Sequence, residues 1–223
     1  TYAKQRNVKV ISYARAVMGG SVELFMGYDC YKIGQSMGQH LTEKVYQGDI
    51  IILKGDVNDF NTPLLYYGAM KYIKPLVESG DLKVILDDYV PKWSPDEAKK
   101  LVKEAVAANG NRVDAIFASN DRLAGASAEA LKELNVTGHV VITGMDAERD
   151  AVKRLLAGTQ DATVYMDLKE LAYAAVDEAY NVATGKKVNV NSELINDRTN
   201  RINAFLINGK VVTKENIDKV LIE

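Results

Sequence analysis

Short apolar runs alternate with amphipathic stretches along most of this chain. Residues 50–53 are apolar without interruption, which is typical of a strand covered on both faces of a parallel sheet. Between such runs apolar residues recur at helical spacing, and Pro95 stands where a helix start tolerates proline. The pattern predicts strands at 8–13, 23–28, 50–53, 82–86, 113–118, 140–143 and 163–165, and helices at 31–47, 63–80, 95–109, 121–134, 147–157 and 167–184.

This alternation of strands and helices determines the predicted fold class. Short connections between the elements favour parallel, doubly wound sheets, so we expect an α/β protein. Asn208-Gly209 is a strong turn signal. It predicts a terminal hairpin of residues 204–207 and 210–212, followed by a short helix at 213–220.

The beginning of the chain has an unusual pattern for such a fold. Residues 1–7 resemble the end of a helix that leads into the strand at 8–13. A doubly wound lobe rarely begins this way, because its first strand would lack neighbours. We therefore expect that an amino-terminal portion is missing from this sequence, and that residues 1–223 alone bind their ligand weakly.

The composition is that of an ordinary globular protein, with 47% hydrophobic and 26% charged residues. The net charge of −2 argues against a nucleic-acid-binding protein, which usually has a basic excess. No apolar stretch approaches the roughly 18–20 residues that a membrane-spanning helix needs. Cys30 is the one cysteine, so no intrachain disulfide can form.

Familiar catalytic and cofactor motifs are missing from the sequence. There is no Walker A loop, no Gly-x-Gly-x-x-Gly after a strand and no Gly-x-Ser-x-Gly. His40 and His139 lie far apart, and no residue spacing resembles a zinc site. The carboxylates Asp59 and Asp146 could suggest glycoside hydrolysis, but the doubly wound pattern and the amides around them argue against it. We therefore predict no enzyme, no cofactor and no metal.

Polar and aromatic side chains follow successive predicted strands. In an open α/β sheet, ligands bind in the crevice outside the carboxyl ends of the strands, so these residues are expected to converge. Carboxylate, amide, guanidinium and indole groups without a dense basic cluster suit a neutral, hydroxyl-rich ligand. The candidate ligand-binding residues are Arg15, Asp59, Asn61, Trp93, Asn120 and Asp146.

Helix capping is the alternative for several of these residues. Asp59 lies in a polar loop before a helix, where capping would use one side chain and leave others for a ligand. In Asn120-Asp121 we assign the cap to Asp121 and the ligand contact to Asn120. Asp146 could either cap the following helix or bind a pair of ligand hydroxyls.

Trp93 and Arg15 also have structural alternatives. Trp93 is the one tryptophan of the chain and lies in a polar loop, where its ring could stack on a sugar or pack at the rim of the core. Arg15 could pair with a structural carboxylate or donate hydrogen bonds to ligand hydroxyls.

Several stretches resemble one known family, the periplasmic sugar-binding proteins of the ribose/galactose type. The resemblance covers essentially the whole chain and is closest to the D-xylose-binding branch that serves ABC transporters. Ser-Asn-Asp and Gly-x-Asp occur widely in related proteins, whereas the Trp93 loop with Asp59-x-Asn61 is more specific to that branch. The similar stretches are residues 70–75, 113–121, 144–147 and 156–160 leading into 163–165.

The resemblance implies a periplasmic binding protein type I fold. Two doubly wound α/β lobes would be joined by three crossing strands and would close on a sugar by a hinge. The amino-terminal lobe, incomplete in this chain, would comprise residues 1–30 and 165–203, and the carboxyl-terminal lobe residues 31–164 and 204–223. The six candidate residues fall on sugar-contacting positions. Ala14 and Met166 depart from the family, which has aspartate and lysine there.

The expected function is that of an extracytoplasmic receptor for a pentose, with D-xylose as the first candidate. Its partner would be the membrane subunits of an ABC transporter or a membrane sensor kinase. The alternative is the effector-binding domain of a sugar-responsive transcription repressor of the LacI type. That class shares the fold, but this chain shows no helix-turn-helix.

Overall fold

A computed structural model describes residues 2–17, 19–20, 22–196 and 200–220 of the chain. Along these residues the strands are β1 Ile11–Tyr13, β2 Leu24–Tyr28, β3 Gly48–Lys54, β4 Leu82–Tyr89, β5 Ala115–Ala118, β6 Val141–Thr143, β7 Thr163–Tyr165, β8 Ser192–Asn196, β9 Asn200–Ile207 and β10 Lys210–Val212. The α-helices are α1 Cys30–Lys44, α2 Asn61–Ser79, α3 Pro95–Ala108, α4 Asp121–Glu133, α5 Arg149–Ala157, α6 Leu168–Thr184 and α7 Ile217–Val220. Short 3₁₀ turns lie at Lys4–Arg6 and Pro91–Trp93.

The chain divides into two compact units. Unit 1 comprises Thr1–Asp29 and Asp167–Gly209. Unit 2 comprises Cys30–Met166 and Lys210–Glu223. Strand β9, with residues 204–207, therefore lies in unit 1, whereas the sequence-based division placed those residues in the carboxyl-terminal lobe.

Unit 1 is built on a four-stranded sheet with the strand order β1-β2-β9-β8. Strand β2 pairs in parallel with both β1 and β9, while β8 pairs antiparallel with β9. Helix α6 contributes Leu171 to a small core with Leu24, Met26 and Ile207. The apolar character of β2 fits its place between two neighbouring strands.

Unit 2 contains a parallel sheet with the order β4-β3-β5-β6. Ile50, Ile51, Ile52 and Leu53 of β3 are all buried, as expected for a strand covered by helices on both faces. An isolated parallel bridge joins Thr143 to Ala162, and β7 pairs antiparallel with β10. The predicted α/β class with parallel sheets is confirmed.

The predicted terminal hairpin is wrong. Strand β9 pairs with β2 and β8, and β10 pairs with β7, so the two predicted arms belong to different sheets. Asn208-Gly209 lies between β9 and β10 without an assigned turn, and a local turn signal does not determine which strands pair. Strand β8 was not predicted, and α5 begins at Arg149 rather than at residue 147.

Candidate functional site

Four loops of unit 2 lie at one edge of its sheet, because β3, β4, β5 and β6 are parallel. We call this surface the carboxyl edge; it consists of residues 54–61, 89–93, 119–121 and 144–148. Backbone hydrogen bonds join the loops to one another. The N–H of Val90 donates to the carbonyl of Lys54 (3.1 Å), that of Ser119 to Leu53 (3.2 Å) and that of Asp121 to Met145 (2.9 Å).

The loop after β4 holds the indole of Trp93 against the backbone of the loop after β3. A Cβ atom on Gly55 would lie 2.0 Å from Cη2 of that ring, so only glycine leaves room for it. Lys92 and Trp93 both have left-handed backbones, with φ of 55° and 54°. Such strain in non-glycine residues is found where the surroundings enforce it, often at functional sites.

Asp56 stabilises this strained loop, and the sequence analysis missed it. Its Oδ2 accepts the N–H of Lys92 (2.5 Å) and its Oδ1 accepts the N–H of Asn58 (2.8 Å). These two backbone donors hold the pKa of the Asp56 carboxyl below its ordinary value. The short spacing from Asp56 to Asn58 is a turn signal. The hydrogen bond from Lys92 to Asp56, however, spans 36 positions and cannot be recognised from the local sequence.

Asp59 performs part of the capping role that we considered for it. Its Oδ1 accepts the N–H of Asn61 (2.9 Å), at the first residue of α2. The side chain of Asn61 is buried. The N-cap position of α2 is Phe60, which makes no side-chain cap, and Asp59 Oδ1 holds the turn that leads into the helix.

Asn120 has the capping role that we predicted for Asp121. Asn120 is the N-cap of α4, where its Oδ1 accepts the N–H of Leu123 (3.0 Å). Asp121 is the first helical residue and is fully buried, so the predicted cap at Asp121 is wrong. Both residue types cap helices well, and the sequence offered no means of choosing between neighbours.

Asp146 does not cap the helix that follows it. The N-cap position of α5 is Glu148, and the Asp146 side chain is exposed. Asp146 and Ala147 have φ of 106° and 50°, the second pair of left-handed residues at the carboxyl edge. The N–H of Asp146 donates to the carbonyl of Val164 (3.0 Å). The loop is thus strained and anchored, which leaves the ligand-binding interpretation of Asp146 as a proposal.

A buried polar network lies beneath this second loop. The carboxylate of Asp121 accepts three hydrogen bonds: from Gln160 Nε2 (2.8 Å), from the Thr163 hydroxyl (2.8 Å) and from the Glu148 N–H (3.0 Å). Arg154 Nη2 donates to the backbone carbonyl of Asp121 (2.8 Å). Burial raises the pKa of Asp121 to about 6 despite these donors.

An aromatic and charged cluster flanks the carboxyl edge on β3 and β4. Lys54 Nζ pairs with Asp87 Oδ1 (2.8 Å) and lies over the rings of Tyr66 and Tyr89. The Tyr66 hydroxyl donates to Asp87 Oδ2 (2.9 Å), and burial together with this carboxylate raises its pKa to about 12. These side chains come from β3, α2 and β4, so no local sequence signal joins them.

Arg15 belongs to unit 1, whereas the five other candidates belong to unit 2. It is exposed and follows Ala14, whose φ is 59°. The hydroxyl of Ser12 donates to the carbonyl of Arg15 (2.7 Å), which holds the bend after β1. The carboxyl edge therefore gathers Asp59, Asn61, Trp93, Asn120 and Asp146, and Arg15 remains a separate prediction.

The described part of the chain offers neither a metal-binding cluster nor a membrane-spanning helix. No cluster of three or more His, Cys, Asp or Glu side chains there could hold a metal ion. None of the helices described there is long and apolar enough to cross a membrane.

Comparison with known proteins identifies the family. Residues 1–187 match the profile described as "Periplasmic binding protein domain". The chain belongs to this family. It is 34% identical to the D-xylose-binding periplasmic protein of Escherichia coli K12, over 99% of this chain and 67% of the relative. It is 27% identical to the multiple sugar-binding periplasmic receptor ChvE of Rhizobium radiobacter, over 99% of this chain and 68% of the relative.

A solved structure supports the same assignment. An ABC transporter solute binding protein from Clostridium phytofermentans, with bound β-D-glucose, matches with a TM-score of 0.90 at 26% identity, over 99% of this chain and 73% of that one. The chain spans about two thirds of the length of the xylose-binding relatives, 67% and 66%, and corresponds to their carboxyl-terminal part. Periplasmic binding proteins are extracytoplasmic solute receptors rather than enzymes, which agrees with both predictions for this chain.

Proposed function

We propose that this chain binds a monosaccharide at the carboxyl edge of unit 2, with D-xylose as the first candidate. The observation that carries the proposal is the Trp93 indole, held against Gly55 by a strained loop at an edge rich in carboxylates and amides. An indole offers an apolar face to the C–H side of a sugar ring, and carboxylates and amides pair with its hydroxyls. The 34% identity to a D-xylose-binding protein supports the choice of sugar.

The proposed polar contacts with the sugar take account of the hydrogen bonds that each side chain already makes within the protein. Asn120 uses its Oδ1 to cap α4, so we assign its sugar contact to the amide NH2 group, a donor. Asp59, whose Oδ1 accepts the N–H of Asn61 at the start of α2, is a proposed acceptor for a sugar hydroxyl. Asp146, exposed on its anchored loop, is the proposed acceptor for a pair of hydroxyls. Asn61 and Arg15 stay proposed contacts.

A panel of sugars tests this proposal directly. We expect D-xylose at about 100 times its Kd to raise the melting temperature by about 5–10 °C, from the mass-action stabilisation of the bound state. L-arabinose, D-ribose, D-glucose and D-allose test the preference, and glycerol is the control for a non-specific polyol effect. The proposal fails if none of the sugars, tested up to concentrations that would saturate a weak site, raises the melting temperature above the glycerol control.

Sugar binding would be detected by a protein in the membrane. We propose that the sugar-bound protein is recognised by the membrane subunits of an ABC transporter or by a membrane sensor kinase. The matched family and the periplasmic relatives favour this extracytoplasmic role over the repressor domain.

Replacement of Asp146 separates a sugar contact from a structural role. We expect Asp146→Ala to weaken sugar binding more than Asp146→Asn, because asparagine keeps an acceptor and tolerates the left-handed backbone better. Each sugar hydroxyl left unpaired costs on the order of 1–3 kcal/mol. Isothermal titration measures the affinities, and melting temperatures recorded alongside report any loss of stability.

The matched control is Asp150→Ala. Asp150 is an exposed carboxylate in the first turn of α5 that pairs with Lys153 (2.7 Å), so its loss should leave sugar affinity unchanged. If both Asp146 variants bind the sugar as tightly as the wild type, Asp146 is not a contact.

A further inference from the structure

The strained loop at Asp146–Glu148 is held from below by one buried carboxylate. The N–H of Glu148 donates directly to Asp121 Oδ2 (3.0 Å). The N–H of Ala147 donates to the Thr163 hydroxyl (3.1 Å), and that hydroxyl donates in turn to Asp121 Oδ2 (2.8 Å). Two consecutive amides of the loop therefore depend on Asp121, one directly and one through Thr163.

The surroundings of Asp121 are built for a carboxylate rather than for an amide. All three of its partners donate to it, and only a carboxylate offers acceptors without a donor of its own. Gly144 keeps this space open, because a Cβ atom there would lie 2.2 Å from Asp121 Oδ1. An asparagine would point its NH2 group at a donor and lose at least one of the bonds.

We infer that Asp121 is a positioning residue that holds the Asp146 loop in its sugar-binding conformation, and that its protonation weakens sugar binding as the pH falls. The inference rests on the proposed function, since it concerns how the proposed sugar contact is presented. Asp121 itself is fully buried and is not assigned a contact with the sugar.

The surroundings of Asp121 determine the pH range in which its carboxyl group becomes protonated. Arg154, from α5, donates to its backbone carbonyl and favours the charged carboxylate. The N–H of Glu148, from the loop, also favours the charged carboxylate, and the Glu148 side chain is paired with Arg122 (3.2 Å). Burial is the largest influence and raises the pKa to about 6, so the carboxylate is charged at neutral pH and becomes neutral within a mildly acidic range. A proton on Oδ2 of Asp121 makes that oxygen a donor, so it can no longer accept from both the Glu148 N–H and the Thr163 hydroxyl.

The test measures sugar affinity against pH in the wild type and in Asp121→Asn. For the wild type we expect the Kd for the sugar that binds most tightly to rise about three- to tenfold between about pH 7.5 and pH 5. A change of this size is expected when the loop loses one hydrogen bond. Asp121→Asn should bind about three- to tenfold more weakly at neutral pH, with a flat profile. Asp150→Asn, which loses an exposed carboxylate outside the loop, should keep both the affinity and the pH profile of the wild type.

A second variant and a second measurement keep the inference testable. Thr163→Val removes the bridging hydroxyl at nearly constant volume and should weaken binding while Asp121 remains. In the sugar-free protein, the amide proton of Glu148 should shift with pH around a midpoint near 6 in NMR spectra, and this titration should vanish in Asp121→Asn.

The outcomes separate this inference from the proposed function. Wild-type affinity and pH profile in both Asp121→Asn and Thr163→Val would overturn the inference while sugar binding stands. Failure of the wild type to bind any sugar would overturn the proposed function, and the Glu148 titration would then still decide whether Asp121 positions the loop. If Asp121→Asn does not fold, wild-type binding by Thr163→Val is sufficient to overturn the inference.

Discussion

Trp93→Ala is expected to weaken sugar binding by about 1–3 kcal/mol, the contribution of a stacked aromatic ring that is buried against a ligand. This corresponds to a Kd higher by about 5- to 150-fold. The reason is local: the loop before Trp93 is strained, and Asp56 and Gly55 hold the indole in one place. Isothermal titration with the best sugar of the panel measures the change.

Two controls distinguish stacking from a general loss of structure. Trp93 also packs against the core of unit 2, so melting temperatures must accompany the affinities. Tyr67→Ala removes an aromatic ring that is 62% exposed on α2 and is not assigned to the site, and it should not change affinity. An unchanged affinity in Trp93→Ala would remove Trp93 from the site.

Gly55→Ala displaces the same ring without removing it. The added methyl group would occupy the position of the indole, so the ring must move away from the edge. We expect a loss of affinity in the same direction as in Trp93→Ala. Because Trp93 is the one tryptophan of the chain, its fluorescence and its quenching by acrylamide report the displacement directly. Val57→Ala, at an exposed position of the same loop, is the matched control.

The elements of the fold were predictable because their signals are local. The apolar run of β3 and the helical spacing of α2 each depend on neighbouring residues, and the structure has both near their predicted positions. The partners of β9 were not predictable, because they lie far away along the chain and a local turn signal carries no information about them.

In the candidate site, too, some residues were predictable from the sequence and others were not. Asp59, Trp93 and Asp146 were recognisable because polar residues after parallel strands meet at one edge of a sheet. Asp56 and Asp121 were not, because their roles depend on bonds to Lys92, Glu148 and Thr163 in other loops. The sequence therefore indicated which residues lie at the carboxyl edge, but not which residues hold that edge in shape.

The close contact between α1 and α2 was also not predictable from the sequence. Its disruption is expected to cause the largest change in stability. The two helices approach each other at Gly34 and Gly68, where a side chain would collide with backbone atoms of the other helix. A Cβ on Gly34 would lie 2.1 Å from the carbonyl oxygen of Leu65, and one on Gly68 would lie 2.1 Å from that of Tyr31. A carbonyl within a helix cannot move aside as the end of a flexible side chain can, so the helices themselves must separate.

Gly34→Val is therefore expected to destabilise unit 2 by about 3 kcal/mol or more, at the upper end of overpacking effects. Denaturant unfolding measures the change through the transition midpoint. Gln39→Val places the same β-branched side chain on the exposed face of α1. It should cost only about 0.5–1 kcal/mol, from helix propensity and from loss of the exposed hydrogen bond between Gln39 Nε2 and Glu43 Oε1 (2.7 Å). Because α2 begins at Asn61, beside Asp59, a separation of the helices should also weaken sugar binding, whereas the control should not. Equal midpoints for the two variants would mean that the contact between α1 and α2 adapts to a side chain at position 34.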